Sequence, residues 1–417
     1  MKKLPIYRKK LSNGLDVIVM KNGSIPSISI NLTYRVGSKD EKIGRRGFAH
    51  LFEHLMFEGS KNLPKGEFDK LCSLAGGSNN AYTSYDWTSY IMTLPSTQLE
   101  LGIWLEAERM FNFEITDTSL QNQQKVVTEE IRQVVEDQPY GKWRDLLAET
   151  AFHKDCSYSW EVHGSIDDVR DATMDDVLEF KKNFYNPANA SLVIVGDVEK
   201  DQAYELIEKY FDKPNGDVKI PRNNFKEEYK IGGKNASYQD VVPHDAVFIG
   251  YHFPGLTNEE YIVGEILSNI IGHGKSAFLN NKLVYRDQIA SYASSFADKR
   301  EHTSILTFLA IASTQDISTD VLYNAILEQV DKAANSEIDK DTLIKTRNQL
   351  KTSHANELMY SSGLADSVGK MAMLYDDPEK VFTFPDLYDK VTIDDIVKFA
   401  KKYLKPENSV RIDVLHG

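Results

Sequence analysis

The 417-residue sequence contains few cysteines and no long apolar run. Its two cysteines, Cys72 and Cys156, are too few for a disulfide framework, and neither lies in a metal-ligand pattern, so we interpret both as ordinary thiols. No run approaches the roughly 18 apolar residues that a membrane-spanning helix needs. The basic start, Met1 to Leu11, lacks an apolar core, so we expect no secretory signal in this chain.

Positive charge is also in deficit, with 49 Lys and Arg against 62 Asp and Glu and a formal net charge of −13. This balance disfavours nucleic acid as a partner. It favours solubility and, weakly, basic substrates. Hydrophobic residues make up 41% of the chain, which is ordinary for a globular protein, and the length predicts two or more domains.

The most informative motif is His50-Leu51-Phe52-Glu53-His54. On a helix, residues four apart share a face, so both imidazoles could reach one ion, and imidazole suits zinc. Glu53 lies in the same turn and can reach a water on that ion. The order inverts the commoner His-Glu-x-x-His motif of zinc hydrolases. A solvated polar patch is the alternative, but apolar neighbours predict a largely buried helix, in which such groups need partners; these neighbours are Phe48, Ala49, Leu51, Phe52, Leu55, Met56 and Phe57.

An internal repeat indicates two copies of one fold. The stretch Thr173 to Val195 aligns without a gap to Thr392 to Val414. In each copy a Thr caps a helix that has Asp in its first turn, the helix stops before a Pro, and a β-rich strand follows. The copy near the C-terminus therefore closes a second domain. The helix corresponding to the motif, which runs from Ile266 to His273, has no carboxylate, so only one copy is expected to be catalytic.

Periodicity places strands and helices in both copies. Residues 216–235 are polar and predict a linker between a metal-binding catalytic domain at 1–215 and a homologous non-metal domain at 236–417. We predict an α+β fold of two homologous α/β-sandwich-like domains, each an antiparallel sheet packed with helices. The predicted strands are Leu15 to Met20, Ser27 to Val36, Ser84 to Leu94 and Asp245 to Phe253. The predicted helices are Gly47 to Phe57, Pro64 to Ala75, Leu99 to Phe111, Leu120 to Val135 and Glu259 to Gly272.

Catalytic zinc usually has three protein ligands, so a third is needed. The segment Gln121 to Glu136 predicts a helix with an apolar face through Val127, Ile131 and Val134. Glu129 and Glu130 on this helix point about 100° apart, so only one can face the metal. Composition alone leaves both open, and a solvated acidic pair is the competing interpretation.

Taken together, these motifs resemble the pitrilysin/insulinase-type zinc peptidases, and most closely the half-length bacterial members and the mitochondrial processing peptidase subunits. The resemblance spans nearly the whole chain and is carried by HLFEHLMFEGS, by Gly76 to Tyr90 and by Phe184 to Asp197. It implies Glu130 as the third ligand. It also implies a bacterial protein in the cytoplasm or periplasm. Where the family often has a second Glu on this helix, the chain has Gln123, which could weaken the groups around the ligands.

The resemblance implies metal-assisted peptide hydrolysis. His50, His54 and Glu130 would hold zinc, which polarises the scissile carbonyl and lowers the pKa of a water. Glu53 would be the general base rather than a ligand, taking the proton of that water and delivering it to the leaving amine. Relatives bind an extended peptide against a sheet edge, at the stretch that matches Asn80 and Ala81. A simple turn at these residues is the alternative.

The non-metal half departs from the family pattern. Many members carry an Arg and a Tyr, seven residues apart, that hold the substrate backbone. Here Tyr292 fits the Tyr position, but Tyr285 occupies the Arg position and Arg286 follows it. Either Arg286 substitutes or a partner chain supplies the group. Full-length relatives close two double domains around the substrate, so the resemblance implies a dimer, with a heterodimer slightly favoured over a homodimer.

Two rival functions remain open. Some relatives are non-catalytic structural or assembly subunits, but such proteins typically lose ligands that this chain retains. A hydrolase of esters or phosphates is the other, yet we find neither a phosphate loop nor clustered Asp ligands. The sequence therefore predicts a zinc metalloendopeptidase whose natural substrate it does not identify.

Overall fold

The computed structural model describes residues 3–214 and 219–417, so the predicted linker at 216–235 lies partly outside the described residues. The strands of the described residues are β1 Tyr7–Lys10, β2 Asp16–Lys21, β3 Ser27–Tyr34, β4 Ser78–Thr83, β5 Thr88–Pro95, β6 Ala190–Gly196, β7 Lys234–Asp240, β8 Ala246–Pro254, β9 Ala290–Ala297, β10 Thr303–Ala312 and β11 Ser409–His416. The α-helices are α1 Phe48–Leu55, α2 Glu67–Leu74, α3 Leu99–Phe111, α4 Asp117–Ile131, α5 Trp143–Ala151, α6 Ile166–Arg170, α7 Met174–Phe184, α8 Lys200–Phe211, α9 Glu260–Gly272, α10 Thr319–Ala334, α11 Lys340–Glu357, α12 Ser361–Tyr375, α13 Lys380–Thr383, α14 Asp386–Lys390 and α15 Ile393–Tyr403.

Two sheets of equivalent topology confirm the predicted fold class. The first has the order β1-β2-β6-β3-β5-β4 and the second the order β7-β11-β8-β10-β9. Most neighbouring strands are antiparallel, as predicted, but β2 with β6 and β7 with β11 are parallel, so each sheet is mixed and not purely antiparallel. Parallel neighbours need a long crossover connection, which each copy of the fold supplies. Without β1, the two orders are the same, as expected for a duplicated fold.

The repeated segments fold in the same way. Helices α7 and α15 each span 11 residues and begin with a reciprocal capping box, formed by Thr173 with Asp176 and by Thr392 with Asp395. These boxes satisfy amide groups that the first turn of a helix leaves unpaired. A short 3₁₀ turn and the strand β6 or β11 follow each helix.

A matching pair of asparagines fixes the chain after each helix. Asn189 donates from its side chain to the carbonyl of Phe184 at 2.8 Å, and Asn408 donates to the carbonyl of Tyr403 at 2.6 Å. Both bonds satisfy a carbonyl at a helix end. The match therefore extends from the aligned letters to individual hydrogen bonds.

The described residues form two compact units, each built from three chain segments. The first contains the residues up to Ile131 together with Val162–Asn223 and His354–Thr383. The second contains Arg132–Glu161, Asn224–Ser353 and Phe384–Gly417. The predicted domains 1–215 and 236–417 are continuous, because they follow the sequence repeat. These boundaries stay a prediction. The compact units differ from them because α5 packs on the second sheet and α12 on the first.

Helices cover each sheet with an apolar layer. In the first unit, α12 places Leu364, Ala365 and Val368 against Val193 and Val195 of β6. In the second unit, α9 and α10 contribute most of the helical side of a large core around β8 and β10. No helix in the described part of the chain is long and apolar enough to cross a membrane.

Two local predictions were wrong. The strand predicted from Ser84 to Leu94 begins at Thr88, because Ser84 to Trp87 form a hairpin turn closed by the Ser84 amide and the Trp87 carbonyl. The predicted apolar face through Val134 fails because the helix passes into a π-helical segment at Arg132–Glu136. That change of phase leaves Val134 exposed and buries Val135 instead.

Candidate metal centre

Helix α1 carries the motif and is fixed by its buried apolar face and at its N-terminal end. Its apolar residues Phe48, Leu51, Phe52 and Leu55 are buried, as the flanks of the motif predicted. The helix begins after Gly47, which has a left-handed φ of 87° and offers no side-chain cap. Glu41 replaces the cap.

The Glu41 carboxylate accepts hydrogen bonds from two amides at the start of α1, those of Gly47 at 2.9 Å and Ala49 at 2.8 Å. A carboxylate at a helix N-terminus also interacts favourably with the helix dipole. Glu41 is buried, so its contacts are little screened by solvent. It fixes the end of the helix from which the motif projects.

The structure brings His50, His54 and Glu130 together. The two Nε2 atoms lie 3.2 Å apart. Glu130 Oε2 lies 3.4 Å from His54 Nε2, and Glu130 Oε1 lies 3.8 Å from His50 Nε2. One ligand atom from each residue can be chosen so that all three lie within 4.8 Å of one another. No other group of three or more such residues occurs in the described residues.

Helix α4 presents Glu130 and not Glu129 to this cluster. Val127 and Ile131 are buried on the packed face, and Glu130 is partly buried beside it. Glu129 is exposed, as expected for neighbours about 100° apart on a helix. The choice that composition left open is thus resolved in favour of the residue that the family resemblance implied, although its role as a ligand stays a prediction.

Burial keeps both imidazoles neutral near pH 7. It lowers the pKa of His50 to about 4, with further contributions from the neighbouring His54 and His163. Burial also lowers the pKa of His54, against the opposing effects of Glu130 and Gln123. A neutral imidazole offers the lone pair that a metal ion requires.

Glu53 is not one of the three clustered side chains and is hydrogen-bonded to Thr83. The Thr83 hydroxyl, at the end of β4, donates to Glu53 Oε2 at 2.6 Å. Burial raises the pKa of Glu53 to about 7, while the Thr83 hydrogen bond acts in the opposite direction and Glu130 adds to the increase. A carboxylate poised near neutral pH suits general acid–base chemistry, and a bound cation would lower this pKa.

Gln123, at the position where the family resemblance implied a Glu, lies among the groups behind the cluster. Its amide donates to Glu58 Oε1 at 2.6 Å, and Glu58 also pairs with Lys65 at 2.6 Å. Glu58 is nearly fully buried. The Gln therefore links α4 to the segment after α1 through a hydrogen bond instead of adding a second carboxylate.

Asn80 and Ala81 lie on β4, the last strand of the first sheet, which pairs with β5 on one side. The alternative of a simple turn at these residues is excluded, because both are paired strand residues. The Ala81 amide donates to Asn80 Oδ1 at 2.9 Å and not to a neighbouring strand. An edge amide bonded only to a local side chain can exchange that hydrogen bond for one to an incoming strand.

Tyr292 and Arg286 belong to the second unit. Tyr292 lies on the edge strand β9, and Arg286 ends a π-helical segment, Asn280–Arg286. Tyr285 and Tyr292 are both about half exposed, at 53% and 52%. The role of Tyr292 and Arg286 in substrate binding stays a prediction.

Sequence reasoning missed Thr83 and Glu41. Both are single, common polar residues. Thr83 lies far along the chain from Glu53, and Glu41 belongs to no repeated pattern. Thr83 contacts Glu53 only because β4 passes beside α1. Its position two residues after Ala81, on an alternating strand, was the one available hint.

Comparison with known proteins gives this architecture a family. Two family descriptions match the chain, "Insulinase (Peptidase family M16)" over residues 17–159 and "Peptidase M16 inactive domain" over residues 171–350. The second description agrees with the absence of the motif from α9. Zinc protease PqqE of Helicobacter pylori is 30% identical over 408 residues, which are 96% of this chain and 91% of that protein.

More distant relatives and a solved structure agree. Mitochondrial-processing peptidase subunit beta of Neurospora crassa is 21% identical over 407 residues, or 94% of this chain and 84% of that protein. The crystal structure of a protease from Helicobacter pylori matches with a TM-score of 0.93 at 29% identity and covers 99% of both chains. These features define a class of protein that has a duplicated α+β fold with an inverted zinc motif in one copy. The chain belongs to the insulinase family of peptidases, family M16.

Proposed function

We propose that this protein is a zinc metallopeptidase that hydrolyses peptide bonds in extended or unfolded peptides. The proposal depends on one observation, the convergence of His50, His54 and Glu130 beside a Glu53 that is engaged elsewhere. Relatives named zinc proteases support the same activity. A structural subunit would have no need for this combination of donors and a separate carboxylate.

The donor set fits zinc. Donors held about 2.1 Å from a tetrahedral ion lie about 3.4 Å apart. The shortest separations among the three side chains are 3.2, 3.4 and 3.8 Å. Two neutral imidazoles and one carboxylate also form a known ligand set of catalytic zinc, and three protein ligands leave a fourth position open.

The residues then divide the chemistry between them. Zinc, when bound, polarises the scissile carbonyl and lowers the pKa of an attacking water. Glu53 accepts the proton of that water and transfers it to the leaving amine. The Thr83 hydroxyl occupies one Glu53 oxygen, which leaves the other to accept the proton. Thr83 thus restrains the carboxylate that acts as the base, while burial raises its pKa.

Substrate would pair with the free edge of β4. The Ala81 amide, now bonded to Asn80 Oδ1, is a donor for the backbone of an extended peptide. Backbone pairing demands little of the substrate sequence and selects for segments that are not folded. We further propose that the chain works as one half of a dimeric, clam-like enzyme in which Tyr292 and Arg286, or groups of a homologous subunit, hold the substrate backbone.

Zinc content and cleavage of a quenched fluorescent peptide, measured on the same preparations, test the proposal. The chain should bind stoichiometric zinc and cleave the peptide, with the homologous subunit added if the chain alone is inactive. Glu53→Gln should keep its zinc and lose activity by about 100- to 10,000-fold, which is the usual contribution of a general base. Glu129→Gln, an exposed carboxylate beside a proposed ligand, should leave both unchanged.

Two outcomes would overturn parts of this assignment. Loss of zinc from Glu53→Gln would make Glu53 a ligand. A zinc-loaded chain that cleaves no peptide, alone or with its partner, would instead support a non-catalytic assembly subunit.

A further inference from the structure

Strand β4 is bonded through both of its faces. Successive side chains of a strand point to opposite sides of the sheet, so Tyr82 and Thr83 diverge. Thr83 donates to Glu53 on the side of α1. Tyr82 extends to the other side, where α12 packs on the sheet.

The Tyr82 hydroxyl ends on a buried carboxylate of α12. It donates to Asp366 Oδ1 at 2.7 Å and accepts a hydrogen bond from Trp87 Nε1 at 3.1 Å. Lys370, one turn further along α12, pairs with Asp366 Oδ2 at 2.5 Å. Its ammonium group lies 5.3 Å from the centre of the Tyr82 ring and 5.6 Å from that of Trp87. Tyr82 is therefore restrained at its hydroxyl and along its ring.

Asp366 is also bonded to the interior of the sheet. Its Oδ1 accepts from Ser89 at 3.2 Å and from Asn31 at 3.3 Å, and both of these residues are fully buried. Asn31 also donates to Ser89 at 2.7 Å. These two residues lie on β3 and β5, the central strands next to the edge. Asp366 thus connects the edge strand to the rigid part of the sheet.

This connection matters because β4 has a ladder on one side only. Its pairing with β5 spans six residue pairs, from Ser78 to Thr83. An edge strand of this length is open to fraying, yet the proposed function requires its free side to keep a fixed register for substrate. Replacing a buried ion pair by apolar residues is often neutral or stabilising, so stability alone does not require Asp366 and Lys370.

We propose that Asp366 is a positioning residue that acts through Tyr82 to hold β4 in register for substrate pairing. The inference rests on the proposed function for its effect on peptides, but the restraint of β4 is a property of the chain itself. Helix α12 is encoded in the second half of the sequence, so this residue lies far in the chain from the motif it supports.

Hydrogen–deuterium exchange tests the restraint without any assay of activity. In Asp366→Asn and in Tyr82→Phe, the β4 amides should exchange about tenfold faster, because one bond to a charged group is weakened or lost. The β6 amides should exchange as before. Ser29→Ala, which removes a buried hydroxyl contact to Thr93 in the same sheet, is the matched control and should not accelerate β4. Unchanged exchange of β4 in both variants would overturn the proposal.

Kinetics on an extended peptide then separate positioning from chemistry. Each variant should raise KM about tenfold, with kcat changed less than threefold and zinc content unchanged. The double variant should be no worse than the worse single variant, since both changes break the same connection. Additive effects, or loss of kcat with KM unchanged, would overturn the proposal. If the unmodified protein has no activity, alone or with a homologous subunit, the proposed function fails, and the exchange result still decides whether Asp366 holds β4.

Discussion

At the scale of single residues, Thr83 is the contact that distinguishes Glu53 from the clustered donors. We predict that Thr83→Val lowers kcat about tenfold, because the isosteric change removes the hydrogen bond that orients the carboxylate. Zinc content should not change. Thr83→Ser keeps a hydroxyl and should recover most of the loss. A serine variant as impaired as the valine variant would show that packing, and not the hydrogen bond, is responsible.

The assignment of Glu130 can be tested against its neighbour on α4. We predict that Glu130→Ala lowers zinc affinity by more than the 10- to 100-fold that is typical for losing a group behind the ligands. Glu129→Ala should bind zinc as the unmodified chain does, since that side chain is exposed. Competition with a chelator measures both. Equal losses in the two variants would contradict a ligand role for Glu130.

His252 makes the stability of the second unit depend on pH. Its Nε2 contacts the carbonyls of Ala151 at 2.8 Å and Ile231 at 3.0 Å, which requires a protonated Nε2. Burial lowers the pKa of His252 to about 4, although the two carbonyls act in the opposite direction. The unfolded chain binds the proton near the ordinary pKa of 6.5, so folding is opposed once the pH falls below that value.

We therefore predict that the free energy of unfolding keeps its full value above about pH 6.5. It should fall between about pH 6.5 and 4, by up to about 3 kcal/mol. The measurement is denaturant unfolding across this range. In His252→Gln the side-chain amide can still donate to a carbonyl and cannot titrate. The slope of unfolding free energy against pH should be smaller in that variant, and an equal slope would contradict the prediction.

At the scale of helices and strands, the position of α1 depends on a residue outside it. We predict that Glu41→Ala lowers the free energy of unfolding by about 2 kcal/mol, because two amides at the start of α1 lose a charged acceptor in a buried place. Zinc affinity should fall with it. Glu67→Ala, in the first turn of α2, removes an acid that is bonded only to the exposed Lys70 and should change stability by less than about 0.5 kcal/mol. Thermal unfolding of both variants compares them.

Periodicity was sufficient to predict the elements that are long and regular. Leu99–Phe111 was predicted to the residue, and the strand from Ser27 ended two residues earlier than expected. The family resemblance implied a sheet edge at Asn80 and Ala81, on β4, but the hairpin turn from Ser84 to Trp87 was missed because the predicted following strand included these residues. The π-helical segment after α4 was missed because an inserted residue shifts the apolar phase without leaving a breaker in the sequence.

The candidate site was predictable where one helix carries it and not where separate elements meet. His50, Glu53 and His54 follow from spacing alone, since four residues return to the same helix face. Glu130 needed the family resemblance, because helical geometry excludes one of two adjacent acids without saying which. Thr83 and Asp366 depend on tertiary packing, and no local pattern marks either.

At the scale of the whole molecule, the sequence repeat and the compact units divide the chain differently. Helix α5 lies in the second unit and α12 in the first, although α5 falls in the predicted domain 1–215 and α12 in the predicted domain 236–417. An amphipathic helix shows which of its faces is apolar, but not which of two equivalent sheets will cover that face. The continuous boundaries therefore follow the duplication, whereas packing follows the sheets.

We expect a partner subunit to hold the second edge of a bound peptide. A peptide paired with β4 satisfies one of its own edges, and its second edge still needs donors and acceptors. The position where the family resemblance implies an Arg is occupied here by the half-exposed Tyr285, which cannot supply a fixed cation. We predict that the chain alone, at 47.4 kDa, has little peptidase activity and gains at least about tenfold on association with a homologous, non-catalytic subunit from its host, since positioning of the substrate limits the rate.

Size-exclusion chromatography with light scattering, followed by assay of each peak, measures this. The zinc content of the chain should be the same in both peaks, because all three proposed ligands come from its own first unit. A mixture in which the chain carries Glu53→Gln should stay inactive, which would show that the activity gained belongs to this chain and not to the added subunit. Full activity in a monomer peak would contradict the prediction. A homodimer with full activity would also contradict it and would support Arg286 or Tyr292 of a second copy as the groups that hold the substrate backbone.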